Sequence, residues 1–328
     1  MGHIAIKLLD LIVMLLIALT VVFFMVNAMP GDPAYGLAIS IVQSRGVSLD
    51  KALETARNMM GIKPDETVLE KYVRFIKDMF TGNFGYSTYY KTSVNEIISE
   101  SLPWTLFVIA IATALGFLGG TTFGASSAQK RGKLTDTIIS TIFTVIQAIP
   151  AFVLAIFLLF IGGVVLRVLP LGGAYPIGMN PEISINFILT VLHHALGPII
   201  AVALPQMASW GLAMRGNCIN VIEEDFTRFA YARGLRDFTI AKRYVKKNAI
   251  LPLVASLAIT IGYMLGGQTL VETVFNYPGI GFYFGKGIAT RDFGLMAGLF
   301  SLIVIGVILA TFITELLYII IDPRVKAQ

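Results

Sequence analysis

The sequence predicts an all-α integral membrane protein with six transmembrane helices, both termini inside, and a helical insertion outside after the first span. Three observations carry this. The 328 residues are 56% hydrophobic and only 14% charged, against about 25% charged in a soluble domain, and mean hydropathy is +0.77. Six apolar stretches reach the ~20 residues that a helix needs to cross a hydrocarbon core of about 30 Å. They lie near 4–28, 102–127, 134–166, 187–212, 250–272 and 295–321. Finally, lysine and arginine gather on one side of the resulting topology.

The first run, from about Ile4 to Ala28, exceeds the roughly 7–15-residue core of a signal peptide, and no small-x-small cleavage site follows. It is expected to stay as a span. With the N-terminus inside, the inner segments hold Lys7, then Lys130, Arg131 and Lys133, then Arg215 and the basic cluster from Arg228 to Lys247, and finally Arg324 and Lys326. The short outer loops hold only Arg167, Lys286 and Arg291. The long loop 29–101 carries basic and acidic residues in near balance, and loops above ~60 residues are largely exempt from the positive-inside rule. The net charge of +5 is therefore a topological signal, and no nucleic-acid partner is expected.

Within 29–101 two amphipathic helices are expected. SLDKALETARNMMG starts on Ser48 as an N-cap and ends at Gly61. PDETVLEKYVRFIKDMF opens with Pro64 in its first turn and sets Val68, Leu69, Tyr72, Val73, Ile76, Met79 and Phe80 on one face. They form a small outer cap, either a docking surface or a pair of helices lying on the membrane. Pro150 and Pro205 are expected to kink the third and fourth spans.

No catalytic residue and no metal site is predicted. The Gly-x-x-x-x-Gly-Lys-Ser/Thr loop that cradles nucleotide phosphates is absent: Gly132-Lys133 is followed by Leu134, and Gly285-Lys286 by Gly287. Adjacent His193 and His194 point to different sides of a helix. The single Cys218 excludes a disulfide framework within the chain and any multi-cysteine zinc site.

The basic stretch 231–253, YARGLRDFTIAKRYVKKNAILPL, lies in an inner loop spanning 213–249 and runs on into the fifth span. Asp225 can cap a short helix to Arg233, Gly234 suits its left-handed C′ position and Leu235 the hydrophobic contact beyond it. Asp237 can cap a second helix with Phe238, Ala241, Val245 and Ala249 on one face. Three readings stand: a topological anchor, a DNA-binding helix-turn-helix argued against by its tethering to spans, and a docking element that receives force from a soluble partner.

RFAYARGLRDFTIAKRYVKKNAILPL resembles the cytoplasmic EAA loop of ABC-importer permeases, in the longer form of the dipeptide/oligopeptide/nickel family, "DYVRTARAKGL…RNALLP". Arg228 stands where the sugar-importer form has Glu, and the 18 positions from Gly234 to Pro252 exceed that form's spacing. The likeness extends over the whole chain through MPGDP (29–33), the GNFGYSTYYKTSVNEIISESLPWTL segment (82–106), AIPAF (148–152), VETVFNYPGIG (271–281) with ATRD (289–292), and ELLYIIIDPRV (315–325).

The resemblance implies a type I ABC-importer permease fold in the plasma membrane, built as a single permease domain over 1–328. Its partners would be a second homologous permease in a heterodimer, two ABC ATPase subunits, an extracytoplasmic solute-binding protein and membrane lipid. ATP and Mg would be bound by the ATPase subunits and no cofactor by this chain. Coupling to the ATPase would fall to Asp225, Phe226, Arg228, Ala230, Ala232, Arg233, Gly234, Leu235, Arg236 and Asp237. The cargo implied is di- or oligopeptide, with oligosaccharides or nickel complexes as alternatives.

Polar residues inside a membrane default to functional candidates. Gln268, Glu272 and Asn276 at i, i+4 and i+8 share one face of the expected fifth span and would line the outer mouth of a translocation pathway, or else glue helices together; Gly262, Gly266 and Gly267 allow close approach nearby. Glu315 is read as an ion-pair partner or a relay. A stand-alone proton-coupled transporter is the rival function and would require several such relays.

Overall fold

The computed structural model describes residues 2–32, 34–59, 66–182, 184–254, 256–257, 260, 264 and 268–321, with side chains from Lys7 to Ile313 among them. Four helices in this set hold a stretch long and apolar enough to cross a membrane: Gly2–Asn27, Val94–Gln129, Ile185–Glu223 and Phe293–Ile321. The chain divides into two compact units, one formed by 1–105, 265–269 and 278–312, the other by 106–264, 270–277 and 313–328.

The third expected span is corrected. Helix Leu134–Ala148 stops before Pro150, and Ala151–Leu158 continues, as a π-helix over Leu159–Val165, in a direction 96° away. Pro150 has ψ 138°, an extended backbone that ends a helix, and it offers no N–H to the preceding turn. What sequence reading took as a kink is a break. Pro198 and Pro205 behave differently, since helix Ile185–Glu223 runs through both. The expected fifth span, 250–272, falls partly outside the described residues, and Gly262, Gly266 and Gly267 are among those left out.

In the second unit, helices Val94–Gln129 and Ile185–Glu223 touch along a stripe of glycines. A Cβ on Gly120 would come within 2.6 Å of the Met207 carbonyl oxygen, one on Gly116 within 3.2 Å of the Ala203 oxygen, and one on Gly124 would overlap the Gly211 carbonyl. Without a hydrophobic driving force between helices in lipid, such close backbone contact is what holds spans together. Close packing of this kind, expected from the sequence in the fifth span, is carried here by Gly116, Gly120 and Gly124, which were not predicted.

In the first unit, the insertion opens with a helix that was not predicted, Tyr35–Arg45, closed by left-handed Gly46. It packs Leu37, Ala38 and Ile41 against Ala52 and Ala56 of Leu49–Met59. Asp32 of MPGDP organises the entry: its carboxylate accepts from the Ala34 N–H at 2.9 Å and from Arg57 at 2.7 Å. Burial alone would raise the Asp32 pKa; the Arg57 and Ala34 hydrogen bonds outweigh it and hold the carboxyl below its usual value.

The next helix is Val68–Phe80, and the expected start at Pro64 is corrected. Thr67 and Glu70 form a reciprocal capping box there, which satisfies two orphan N–H groups; Gly61 and Pro64 lie outside the described residues. Its apolar residues do not form one buried face. Met79 is buried, whereas Val68, Leu69, Val73 and Phe80 are exposed. A two-stranded hairpin, Tyr86–Ser87 with Thr92–Ser93, follows. Asp292 of ATRD accepts from Ser87 Oγ at 2.6 Å and the Tyr89 N–H at 3.0 Å, and its other oxygen accepts from the Leu295 N–H at the start of the last helix. One buried carboxylate thus joins hairpin and helix, and it explains why that motif carries an acid.

Candidate coupling loop and a buried polar helix end

Helix Ile185–Glu223 leads straight into the basic loop. Glu224 has ψ 147° and breaks it; Asp225–Ala232 follows at once. The two expected caps come one residue early, at Glu224 and Arg236, and neither makes a side-chain cap bond. Asp225 and Asp237 sit instead in the first turns, where a carboxylate still favours the positive end of the helix dipole.

Gly234 closes the short helix as expected. Its φ is +71°, its N–H donates to the Tyr231 carbonyl at 2.9 Å, and the Leu235 N–H reaches back to Ala230 at 3.4 Å. These are the two hydrogen bonds of a Schellman motif, and Leu235 and Ala230 supply its apolar contact. A Cβ at Gly234 would meet nothing within 4 Å, so only the backbone angle requires glycine here.

The second helix departs from expectation. Asp237–Thr239 passes into a π-helix, Ile240–Lys246, and ends as Lys247–Ala249. A π turn bonds i to i+5, so Ile240 and Val245, five apart, point the same way. These two, with Ala249, are the buried residues, while Phe238 is 75% exposed and Ala241 half-buried. The predicted face assumed α spacing and placed Phe238 inside; that expectation is corrected.

Ala230, Ile240, Val245 and Ala249 join one apolar core with Trp210, Met214 and Cys218 of helix Ile185–Glu223 and with Phe117, Ala125 and Ala128. Thr227 Oγ1 donates to the Val221 carbonyl at 2.8 Å and Asn217 Nδ2 to that of Ala249 at 3.1 Å. The loop is therefore braced along its inner side. Its outer side carries Phe226, Phe229, Tyr231 and Phe238 exposed by 43–75%, with the Arg233 guanidinium over the Phe229 ring at 6.0 Å. Of the predicted residues, Ala230 is buried and Leu235 half-buried; Asp225, Phe226, Arg228, Ala232, Arg233, Gly234, Arg236 and Asp237 are exposed. Sequence reasoning missed Phe229, although its spacing of three from Phe226 was the available signal.

A second feature was missed. Arg215 donates to Asp136 through Nε at 2.7 Å and Nη2 at 2.8 Å. The Asp136 carboxylate also accepts from Ser127 and from the Gly132 N–H. Its side chain is 5% exposed. This fork-to-fork pair pins the turn between helices Val94–Gln129 and Leu134–Ala148 onto the helix that carries the loop. Arg215 had been read only as a topological charge.

The three polar residues of the expected fifth span do not share one helical face. The described helix is short, Thr269–Val274, and holds Glu272, which is 1% exposed. Gln268 precedes it and is 8% exposed. Asn276 lies beyond it at φ +44°, where its N–H donates to the Thr273 carbonyl and the Tyr277 N–H to that of Glu272. That pattern is again a Schellman motif, with Asn in the left-handed place it tolerates best after glycine. The sequence FNYPG ends a helix. The i, i+8 argument for Asn276 therefore falls. The side chain of Glu315 lies outside the described set. His193 Nε2 bonds the Val168 carbonyl and His194 Nδ1 that of Thr190, so the two rings serve different neighbours.

Comparison with known proteins adds to this geometry. The chain is 27% identical over 314 residues to the oligopeptide transport system permease protein AppB of Bacillus subtilis, covering 95% of each chain. It is 28% identical over 319 residues to the dipeptide transport system permease protein DppB of Lactococcus lactis, covering 96% of each. It is 29% identical over 321 residues to the glutathione transport system permease protein GsiC of Pectobacterium atrosepticum, covering 98% of this chain and 97% of that one. Residues 120–327 match the family described as binding-protein-dependent transport system inner membrane component. That match takes in Gly120 and Gly124, the helix Ile185–Glu223 that they pack on, the Asp136–Arg215 pair and the whole braced loop, and the chain belongs to this family of membrane transport components.

Proposed function

We propose that the chain is the membrane permease subunit of an ATP-driven importer of di- or oligopeptides, and that 225–237 receives the stroke of an ATPase partner. The exposed aromatic side of a loop whose other side is firmly braced carries the reading. Aromatic side chains held in the open on a short rigid helix suit insertion into a groove of another protein. A helix docked through Phe226 and Phe229, with Arg228 and Arg233 at its rim, would be carried along when two ATPase subunits close on ATP and Mg. Because Ala230, Ile240 and Val245 pack onto Trp210 and Met214, the displacement passes directly to helix Ile185–Glu223. Rigid-body rocking of such helices alternates access across a membrane. A second homologous permease and an extracytoplasmic binding protein complete the assembly. Peptide cargo is supported by relatives named for oligopeptide, dipeptide and glutathione transport.

The test is reconstitution of the chain with a partner permease, ATPase subunits and a binding protein from its own source, followed by labelled di- and tetrapeptide uptake. Uptake that needs ATP and the binding protein is expected. Peptide uptake driven by a proton gradient without ATP would place the chain among secondary carriers, and ATP-driven uptake of sugars or a nickel complex alone would reassign the cargo.

Glu272 is proposed as part of the route through its movement during the cycle, since it is buried in the state described. Glu272→Gln is expected to leave assembly intact and to lower the uptake rate severalfold. Loss of assembly with normal uptake per assembled complex would make the residue helix glue instead.

A further inference from the structure

Helix Val68–Phe80 lies beside the end of the first span. Tyr72 OH is 2.8 Å from Thr20 Oγ1, and the Tyr72 and Phe75 rings pack on Phe23 at 5.4 and 5.6 Å. Thr20 is seven residues before the helix end at Asn27, which is about 10 Å along the axis at 1.5 Å per residue. The span Lys7–Asn27 is just long enough for a hydrocarbon core of ~30 Å. The helix after the first span therefore reaches, through Tyr72, about 10 Å below the outer end of that span, on the side that charge assigns to the outside. Its exposed Leu69, Val73 and Phe80 give it the apolar side typical of helices that lie in the interface.

Between this helix, the end of the first span and the start of the last helix is a cavity of about 520 Å³, within the range of roughly 300–1,000 Å³ of small-molecule sites. Its walls combine Phe23, Phe75 and Phe293 with Lys71, Arg74 and Asp78. The three charged residues recur at i, i+3 and i+7 and so share one side of the helix. Lys71 and Asp78 make no side-chain hydrogen bond or ion pair among the described residues. Arg74 holds Glu66 at 2.8 Å, and the five N–H donors of a guanidinium let it serve more than one partner at once. Two cations, a carboxylate one turn further and aromatic walls suit a phosphodiester that bears an ammonium on one side and hydrocarbon tails on the other.

We propose that this cavity holds one phospholipid with an ammonium-bearing headgroup, its phosphate against Lys71 and Arg74, its ammonium against Asp78 and its chains along Phe23 and Phe75. The site would fix the interfacial helix to the outer leaflet and needs nothing from the transport reading. The test is native mass spectrometry of the purified full-length chain, equilibrated with equal amounts of phosphatidylethanolamine and phosphatidylglycerol.

One retained phosphatidylethanolamine per chain is expected, at tenfold or greater preference. Lys71→Glu should lose it at least tenfold, Asp78→Asn should abolish the preference, and Ala297→Trp, which fills the cavity from the last helix, should exclude the lipid altogether. Equal retention of both lipids by the unaltered chain would overturn the proposal. So would unchanged retention in both Lys71→Glu and Ala297→Trp. Displacement by glycerophosphoethanolamine, which has the headgroup without chains, would also overturn it by making the site one for a soluble zwitterion.

Discussion

Gly234→Val is expected to leave the permease folded and inserted while cutting ATP-driven uptake by roughly 5–30-fold, the factor that one to two kcal/mol represents. A left-handed backbone costs an L-residue about 1–2 kcal/mol, and a β-branched one suffers most. Because no atom crowds a Cβ at this position, the penalty falls on the Schellman turn alone and not on the packed spans. Relief comes only by releasing the hydrogen bonds to Tyr231 and Ala230, which swings Asp225–Ala232 off its brace. Gly234→Asn, which tolerates the left-handed region, should recover most of the loss. Co-purification of ATPase subunits and peptide-stimulated hydrolysis, measured beside uptake, separate lost docking from lost transmission. Unimpaired stimulation and uptake in Gly234→Val would reduce the loop to a topological anchor.

Arg215→Met is expected to destabilise the assembled permease by about 3–5 kcal/mol, the usual result of removing one partner from a buried ion pair. The Asp136 carboxylate, with its side chain 5% exposed, would be left with Ser127, Ser140 and the Gly132 N–H but no cation. Adding Asp136→Leu to Arg215→Met should restore much of the loss, since the orphan charge is gone. Denaturant unfolding of the purified protein, followed by the fluorescence of its two tryptophans, Trp104 and Trp210, reads both. Equal stability of Arg215→Met and the unaltered chain would show that water or lipid headgroups already solvate Asp136.

Where the sequence was legible, a local rule had no competitor. Gly234 could be assigned to a left-handed C′ position because glycine and a following leucine leave little else. The spans at 4–28 and 187–212 were plain because apolar length alone decides them. Failures had equally local causes. Phe238 was placed inside because α periodicity was assumed, and one π turn moves the buried set to Ile240 and Val245. Asn276 was placed on a helix face because polar spacing was counted without asking where the helix stops; NYPG is itself a stop signal. The Asp136–Arg215 pair joins residues 79 apart, and no pattern in one sequence announces such a contact. Gly116, Gly120 and Gly124 did carry a visible four-residue repeat, but their partners on helix Ile185–Glu223 did not.

The π turn at Ile240–Lys246 also sets a rotational phase. An α-helix advances about 100° per residue, so one residue gained or lost there rotates whatever lies beyond by about that angle. By closing i to i+5 bonds, a π turn takes up an added residue while the segments on either side keep their own packing. The bearing of Phe226 and Phe229 relative to Lys247–Ala249 thus depends on the number of residues through this turn as well as on the packing that braces the loop. Such a setting moves only in steps. Two permeases with identical aromatic faces but different numbers of residues through this turn would present those faces to a common partner along different azimuths.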